Sequence, residues 1–119
     1  MTYVLLIYQG TTPLPGSDAW DALSEVEQKQ IYADYGALNH APGVTPGLPL
    51  GLPGSATTVR VEDGRAVTSA GPYVGMNEAV AGYFILEADD LESAVEMAAR
   101  VPAARLGGAI EVRAVEKYW

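Results

Sequence analysis

Cysteine is absent from the 119-residue chain, and other residues that often carry chemistry are scarce. Without cysteine the chain has no disulfide, no thiolate nucleophile, no iron–sulfur cluster and no cysteine-ligated zinc. One histidine among scattered carboxylates gives no transition-metal site of the usual spacing. Phosphate-binding glycine loops, nucleophile elbows and repeats are also missing. We therefore expect a protein that works without a cofactor and without a metal.

Positive charge is in short supply as well. Seven basic residues stand against fifteen acidic ones, a formal net charge of -8. Such a surface repels phosphate backbones and anionic membranes, so we expect no nucleic acid and no membrane as partner. The apolar run Tyr3–Tyr8 lacks a basic flank and is far too short to span a bilayer. The sequence predicts a cytoplasmic protein with a single domain over residues 1–119.

Strand and helix patterns alternate along the chain. Five stretches have the composition and periodicity of strands: Tyr3–Tyr8, Ala56–Val61, Arg65–Thr68, Ala79–Leu86 and Ala109–Val115. Asp63-Gly64 predicts a hairpin turn. Ser24 with Glu27 forms a capping box ahead of a first helix, and Asp89 with Glu92 forms one ahead of a second. The order β-α-β-β-α-β, with an extra segment between the third and fourth strand regions, predicts a ferredoxin-like α+β fold, an antiparallel sheet with two helices on one face.

A segment rich in proline and glycine, Ala41–Gly54, separates the first helix from the second predicted strand. It contains four prolines and four glycines in fourteen residues. Because proline removes backbone donors and restricts the residue before it, we expect no regular element here. Interleaved leucines indicate a packed loop, which we interpret as one wall of a pocket.

Two of the predicted strands are apolar on both faces. In Tyr3–Tyr8 and Ala79–Leu86, odd and even positions alike are apolar. The helices would cover one face of the sheet, and no other predicted element is available for the second. We therefore expect a homodimer formed through that sheet face.

A series of motifs runs from the second predicted strand to the end of the chain. The motifs are Ala56-Thr57-Thr58-Val59-Arg60, Asp63-Gly64, Gly82–Glu87, Leu91–Arg100 and Ile110–Arg113. With Tyr3–Tyr8, the stretch that contains these motifs makes up about two thirds of the chain, and it resembles DGPF-type proteins of the YCII-related family. The resemblance implies a ferredoxin-like dimer of the dimeric α/β-barrel type.

The chain departs from the family at its naming motif. Gly71-Pro72-Tyr73 keeps the Gly-Pro-aromatic pattern, but Ala70 stands where the family has aspartate. The family's Lys-Glu pair becomes Asn77-Glu78, and the histidine of the wider family's His–Asp pair falls near Tyr32. The chemistry that this pair supports in relatives is therefore not carried over.

Four residues form the candidate catalytic set. His40, predicted at the end of the first helix, is either a general acid/base at a pocket mouth or a cap on the last helical carbonyls. Arg60, on a predicted strand, either anchors an anionic substrate or pairs with Glu78 or Asp63. Tyr73, presented by the Gly-Pro turn, and Glu78 complete the set.

Aromatic residues form a second candidate group. They are Trp20, Tyr32, Tyr35 and Tyr83. These rings either line a substrate-binding cavity for a planar organic molecule or belong to the core. The first hypothesis for function is a cofactor-independent lyase or isomerase that uses acid/base chemistry on an aromatic or polyketide-like molecule. The alternatives are a non-catalytic, ligand-binding or regulatory dimer and a structural homologue that acts through partner contact alone.

Overall fold

The computed structural model describes residues 1–118; Trp119 lies outside the described residues. Within residues 1–118, six strands and three α-helices follow one another. They are β1 (Thr2–Tyr8), α1 (Asp18–Asp21), α2 (Glu25–Asn39), β2 (Val44–Pro46), β3 (Thr57–Glu62), β4 (Arg65–Ala70), β5 (Val80–Glu87), α3 (Leu91–Ala99) and β6 (Ala109–Ala114). No helix among residues 1–118 has the length and apolar character needed to cross a membrane.

Four of the strands form the main sheet. Its order is β2-β5-β1-β6, and every neighbouring pair is antiparallel. β1 lies in the middle, with Leu5 opposite Phe84 of β5 on one side and opposite Val112 of β6 on the other. This order, with a helix between β1 and β2 and another between β5 and β6, confirms the ferredoxin-like α+β prediction.

The second strand of the sheet is not the one that the sequence predicts. Ala56–Val61 was expected to fill this place, and the Pro/Gly segment was expected to contain no regular element. Instead β2 lies inside that segment and pairs with β5, Val44 opposite Leu86. Proline is tolerated there because β2 is an edge strand, in which one row of N–H groups needs no partner. After Pro46 the edge continues irregularly, with Gly47 N donating to Tyr83 O at 3.1 Å.

The core lies on one face of the main sheet. Odd positions of β1 point into it, and Leu5 is 1% exposed. Leu38 of α2 and Ala98 of α3 belong to the same buried cluster, so both long helices cover this face, as predicted. The buried side chains of α3 in this cluster, Ala94 and Ala98, are small. The opposite face, which carries Val4 and Leu6, is only half-buried within one chain.

Two helix caps were predicted, and the structure confirms one of them. Ser24 Oγ accepts a hydrogen bond from the backbone N–H of Glu27 at 3.1 Å, as the capping box requires. The second cap is Asp90 rather than Asp89, because Asp90 Oδ1 accepts from Ser93 N at 2.8 Å. The prediction was wrong by one residue, since adjacent aspartates offer the same side-chain acceptor and only the backbone geometry distinguishes them.

The strands β3 and β4 form a separate two-stranded sheet. Asp63 and Gly64 join them with φ values of 51° and 76°, the left-handed pair of a type I′ turn. The predicted hairpin is therefore confirmed, but it projects from the fold instead of entering the main sheet. We call residues 57–70 the hairpin arm.

Candidate functional site

A cavity of about 330 Å3 lies between α2 and the helix-covered face of the main sheet. Two loops close its sides, one after β1 and one after β2. The residues that line it are Ile7, Gln9, Thr12, Leu14, Tyr35, Asn39, Gly47, Leu48, Pro49, Ala81, Gly82, Tyr83, Phe84 and Ala103. We call this space the α2–sheet cavity. Its volume lies within the range of small-molecule sites.

The floor of the α2–sheet cavity exists because β5 carries a glycine where the core needs a large side chain. Gly82 lies opposite Ile7 in the register and so belongs to the helix-covered face. A Cβ added at Gly82 would have Ile7 Cδ1, at 3.9 Å, as its nearest neighbour. The space above this strand position is therefore empty, in a sheet whose neighbouring positions are filled by Leu5 and Phe84.

The polar groups of the cavity are uncharged. Among residues 1–118, those that line it include no aspartate, glutamate, histidine, lysine or arginine. Gln9, Tyr35 and Asn39 can donate or accept hydrogen bonds. Gln9 Nε2 already donates to the backbone oxygen of Thr12 at 2.6 Å, which holds the loop after β1 in place.

Tyr35 is the ionisable group of the cavity with a perturbed pKa. Burial raises the pKa of the Tyr35 hydroxyl above its ordinary value, and a hydrogen bond with the backbone of Ala103 lowers it by less. The hydroxyl therefore keeps its proton through the neutral pH range and is suited to donating a hydrogen bond. Its backbone partner Ala103 lines the same cavity.

The outer wall of the cavity depends on a close approach between two strands. A Cβ at Gly47 would collide with the carbonyl oxygen of Tyr83 and lie 2.6 Å from Tyr83 Cε2. Tyr83 lies opposite Leu6, so its side chain leaves the face of the sheet opposite to that of Phe84. Its contribution to the cavity is thus at the sheet edge, where the ring packs on Gly47.

The four residues of the predicted catalytic set lie apart. His40 is the C-cap of α2, and its Nδ1 is 2.9 Å from the carbonyl oxygen of Gly36, the arrangement of the capping alternative. Arg60 lies exposed on the hairpin arm and, within residues 1–118, forms no ion pair. Tyr73 is 74% exposed. Glu78 is exposed too, and its carboxylate folds back toward Gly75.

Of these four, Tyr73 lines a groove of about 350 Å3 at the base of the hairpin arm. Leu50 and Leu52 form part of the same groove, and both are exposed. His40, Arg60 and Glu78 do not line this groove or the α2–sheet cavity. Within one chain the four residues therefore share no cavity.

The four aromatic candidates divide between two spaces. Tyr35 and Tyr83 line the α2–sheet cavity. Trp20 and Tyr32 contact each other edge to face, with ring centroids 5.3 Å apart, and with Tyr35 they line a smaller space of about 80 Å3. Trp20 is buried, so this pair anchors α1 against α2 in the manner of a core contact.

Sequence reasoning missed several residues that form the cavity, Gly82, Gln9 and Asn39 among them. A glycine inside an otherwise apolar strand is a signal for a close approach or an unfilled space, and Gly82 carries that signal in the sequence. Gln9 and Asn39 carry none, because polar residues after a strand or late in a helix are ordinary. In the part of the chain that the structure describes, no group of three His, Cys, Asp or Glu side chains is placed to hold a metal ion.

The sheet order and the two helices on one face define the class, an α+β protein of ferredoxin-like type. The chain belongs to the YCII-related family, because the family model described as the YCII-related domain matches residues 1–118. The match confirms the resemblance carried by the sequence motifs. No curated protein matches the chain.

Proposed function

We propose that the chain binds a small, uncharged, ring-containing organic molecule in the α2–sheet cavity. The observation that carries this proposal is the unfilled strand position at Gly82, which opens about 330 Å3 between α2 and the sheet. A ferredoxin-like core of this size would gain stability from a larger residue there. The chain keeps a space instead, and an aromatic wall at Phe84 and Tyr35 suits a planar ligand.

The ligand's lack of charge follows from the lining. A charged group transferred into the cavity would lose hydration, and the lining residues offer no opposite charge in return. They offer hydrogen bonds from Tyr35, Gln9 and Asn39, which match hydroxyl and carbonyl groups. A neutral molecule with a ring and one or two oxygen substituents meets both conditions.

A matched pair of probes tests the proposal, namely 2-naphthol and the anionic 2-naphthoate. We expect 2-naphthol to bind in isothermal titration calorimetry and 2-naphthoate to bind about tenfold more weakly or not at all, since its carboxylate finds no cation. Equal affinities would contradict the uncharged class. Absence of binding by both probes to the wild-type chain would contradict the proposal itself.

The variant Gly82→Val tests whether the ligand binds in the α2–sheet cavity. Valine suits a strand, and the nearest atom at 3.9 Å leaves room for Cβ, so the variant should fold with unchanged or higher Tm. Its branches would fill the cavity floor, and we expect 2-naphthol affinity to fall about tenfold or more. Gly36→Ala, on α2 with open space around it, serves as the control that keeps affinity. Binding unaffected by Gly82→Val would place the ligand elsewhere.

Catalysis is the second candidate function, favoured by the protonated state of Tyr35. Tyr35 lines the cavity, and its protonated hydroxyl can polarise a carbonyl oxygen of the ligand by donating a hydrogen bond, as a lyase or isomerase acting on an aromatic or polyketide-like molecule would need. In an assay that detects turnover, Tyr35→Phe should then lower kcat at least about tenfold, because losing one hydrogen-bond donor to a developing oxyanion commonly costs more than that. His40→Ala and Arg60→Ala test the predicted set, and turnover unchanged in both would remove them from the mechanism.

We also propose that the working unit is a homodimer formed through the open face of the main sheet. This face carries Val4 and Leu6 of β1 next to Ile85 of β5, three apolar side chains that neither helix covers. Glu111 and Arg113 of β6 border them on the same face. Apolar residues in the centre with charged residues at the side are typical of a subunit interface.

A further inference from the structure

The hairpin arm has one apolar face and one polar face. In its register Val59 lies opposite Thr68, and Val61 lies opposite Ala66, so these four side chains share a face. The alternate positions form the other face, with Arg60 opposite Val67 and Glu62 opposite Arg65. Val59 and Val61 are 60% and 72% exposed, so the apolar face has no cover within one chain.

A two-stranded ribbon with no packing partner is at best marginally stable in water. No residue of β3 or β4 is buried: Thr58 is half-buried and the others are exposed. The bonds that fix the arm to its own base are few: Gly71 N donates to Ala56 O at 2.7 Å, and Thr58 Oγ1 donates to Gly71 O at 2.9 Å. Within one chain the arm therefore lacks the packing that such a ribbon needs.

The accessible surface area and the radius of gyration of the chain are both larger than those of a compact monomer. Its accessible surface is 8051 Å2, whereas a compact monomer of 12.5 kDa would have about 6,200 Å2. The excess of about 1,900 Å2 is more than the roughly 800 Å2 that each partner buries in a standard interface, and it falls in the range of obligate dimers. The radius of gyration is 16.1 Å, against about 13.5 Å for a compact domain of this length. An open sheet face does not lengthen a chain, but a projecting arm does.

We propose that the hairpin arm docks through Val59 and Val61 on a second copy of this chain. Charge argues against nucleic acid and anionic lipid, because the chain has a net charge of -8 and the arm's two arginines are offset by Glu62 and Asp63. A second copy brings its own exposed apolar residues, among them Leu50 and Leu52 at the arm base. In a two-fold symmetric dimer the same contact occurs twice, once for the arm of each copy.

This surface is distinct from the open face of the main sheet and adds to it. The arm is also continuous with the cavity, since Leu48 and Pro49 line the cavity and the chain leads from them into β3. An arm held by a second copy would therefore also fix the outer wall of the α2–sheet cavity. The docking proposal does not depend on ligand binding, because it rests on the arm's exposed face and on the surface excess.

Charge placed on either face of the arm provides a matched test. The double variant Val59→Asp/Val61→Asp alters the apolar face, and Val67→Asp alters the opposite face of the same ribbon. By sedimentation equilibrium we expect the first to raise the dimer dissociation constant about 100-fold or more, because two valines per arm lose their burial in both copies. Val67→Asp should change it by no more than about threefold. Far-UV circular dichroism confirms that each variant keeps the main fold.

Three results would overturn the proposal. One is a wild-type chain that stays monomeric at about 100 µM, a concentration at which standard interfaces are filled. Another is a dissociation constant for Val59→Asp/Val61→Asp that equals that of the wild type, or a Val67→Asp variant that weakens association as much as the double variant does. The third comes from hydrogen exchange: amides of residues 57–70 should be protected in the assembled wild type, and rapid exchange there would show that the arm is free.

Discussion

Replacing glycine by alanine should have opposite effects on stability at two positions, Gly47 and Gly36. At Gly47 a methyl group would collide with the carbonyl oxygen of Tyr83 and approach its ring, whereas at Gly36 in α2 it would meet nothing within 4 Å. We predict that Gly47→Ala lowers the free energy of unfolding by about 1–3 kcal/mol through overpacking. Gly36→Ala should raise it by about 0.5–1 kcal/mol because alanine favours helix. Urea denaturation measures both, and a Gly47→Ala variant as stable as the wild type would show that β2 can move away from β5.

A second prediction at this scale concerns Asp34 and acid. Its Oδ1 accepts from Gln30 Nε2 at 2.8 Å and its Oδ2 from Arg105 at 2.6 Å. These bonds, that from Gln30 first, lower the pKa of Asp34 below 3.8 in the folded chain. A depressed pKa contributes stability that is fully present above the unfolded value and is lost as pH falls through the folded value. Asp34→Asn should therefore lower Tm modestly at pH 7, and the difference from wild type should shrink by pH 2.

The control for Asp34→Asn is Asp89→Asn, an exposed aspartate that makes no hydrogen bond or ion pair among the described residues. Thermal unfolding at pH 7 and pH 2 should show no comparable change for this variant. A Tm difference for Asp34→Asn that stays constant between the two pH values would mean that the charge of Asp34 does not stabilise the fold.

At the scale of the element, helix α2 depends on its N-cap, Ser24, the residue just before the helix. Ser24 accepts from Glu27 N and so satisfies one of the unpaired N–H groups at the helix start. We predict that Ser24→Ala lowers the free energy of unfolding by about 1 kcal/mol and that Ser24→Asp, which restores an acceptor, recovers most of it. Chemical denaturation gives both values. An equal loss in the two variants would mean that the hydroxyl's contribution is packing rather than capping.

The elements that the sequence predicted are those whose own residues specify them. β1 and β5 are continuous apolar runs, and the hairpin follows from Asp63-Gly64 between two alternating stretches. β2 could not be predicted in this way, because three residues that include a proline have no strand pattern of their own. Its conformation comes from pairing with β5, for example Thr45 opposite Ile85. For the same reason β3 was assigned to the main sheet, since strand propensity does not say which strand is the neighbour.

The site was less predictable than the fold because a cavity is a property of the whole molecule. Tyr35 and Tyr83 were singled out from the sequence and do line the α2–sheet cavity, although Tyr83 does so at its edge. Gly82 carries a signal in the sequence, but that signal does not distinguish a close approach from an unfilled space, which depends on the surrounding residues such as Ile7 and Tyr35. The predicted catalytic set was grouped by chemical type; its members are His40, Arg60, Tyr73 and Glu78. The distances between them depend on where the hairpin arm and β2 lie, which the sequence did not predict.

The open face of the main sheet allows a prediction about assembly at the scale of the whole molecule. Leu6 lies near the centre of this face, between Tyr83 and Glu111 in the register. If a second subunit covers the face, Leu6→Lys would place an ammonium group in each half of the interface without a partner, which is costly. We predict that the dimer dissociation constant rises about 100-fold or more. Val26→Lys, at a position of α2 that is 77% exposed, should leave it unchanged.

Analytical ultracentrifugation of Leu6→Lys alongside Val59→Asp/Val61→Asp separates the two proposed contacts. If the open face and the hairpin arm are both buried between the same two copies but do not touch each other, their losses in binding free energy should add in the combined variant. Weakening by Leu6→Lys alone would leave the sheet face as the interface and the arm free, and weakening by the arm variant alone would do the reverse. A folded Leu6→Lys chain that dimerises like the wild type would mean that Val4, Leu6 and Ile85 face water, and the sheet-face dimer would then be wrong.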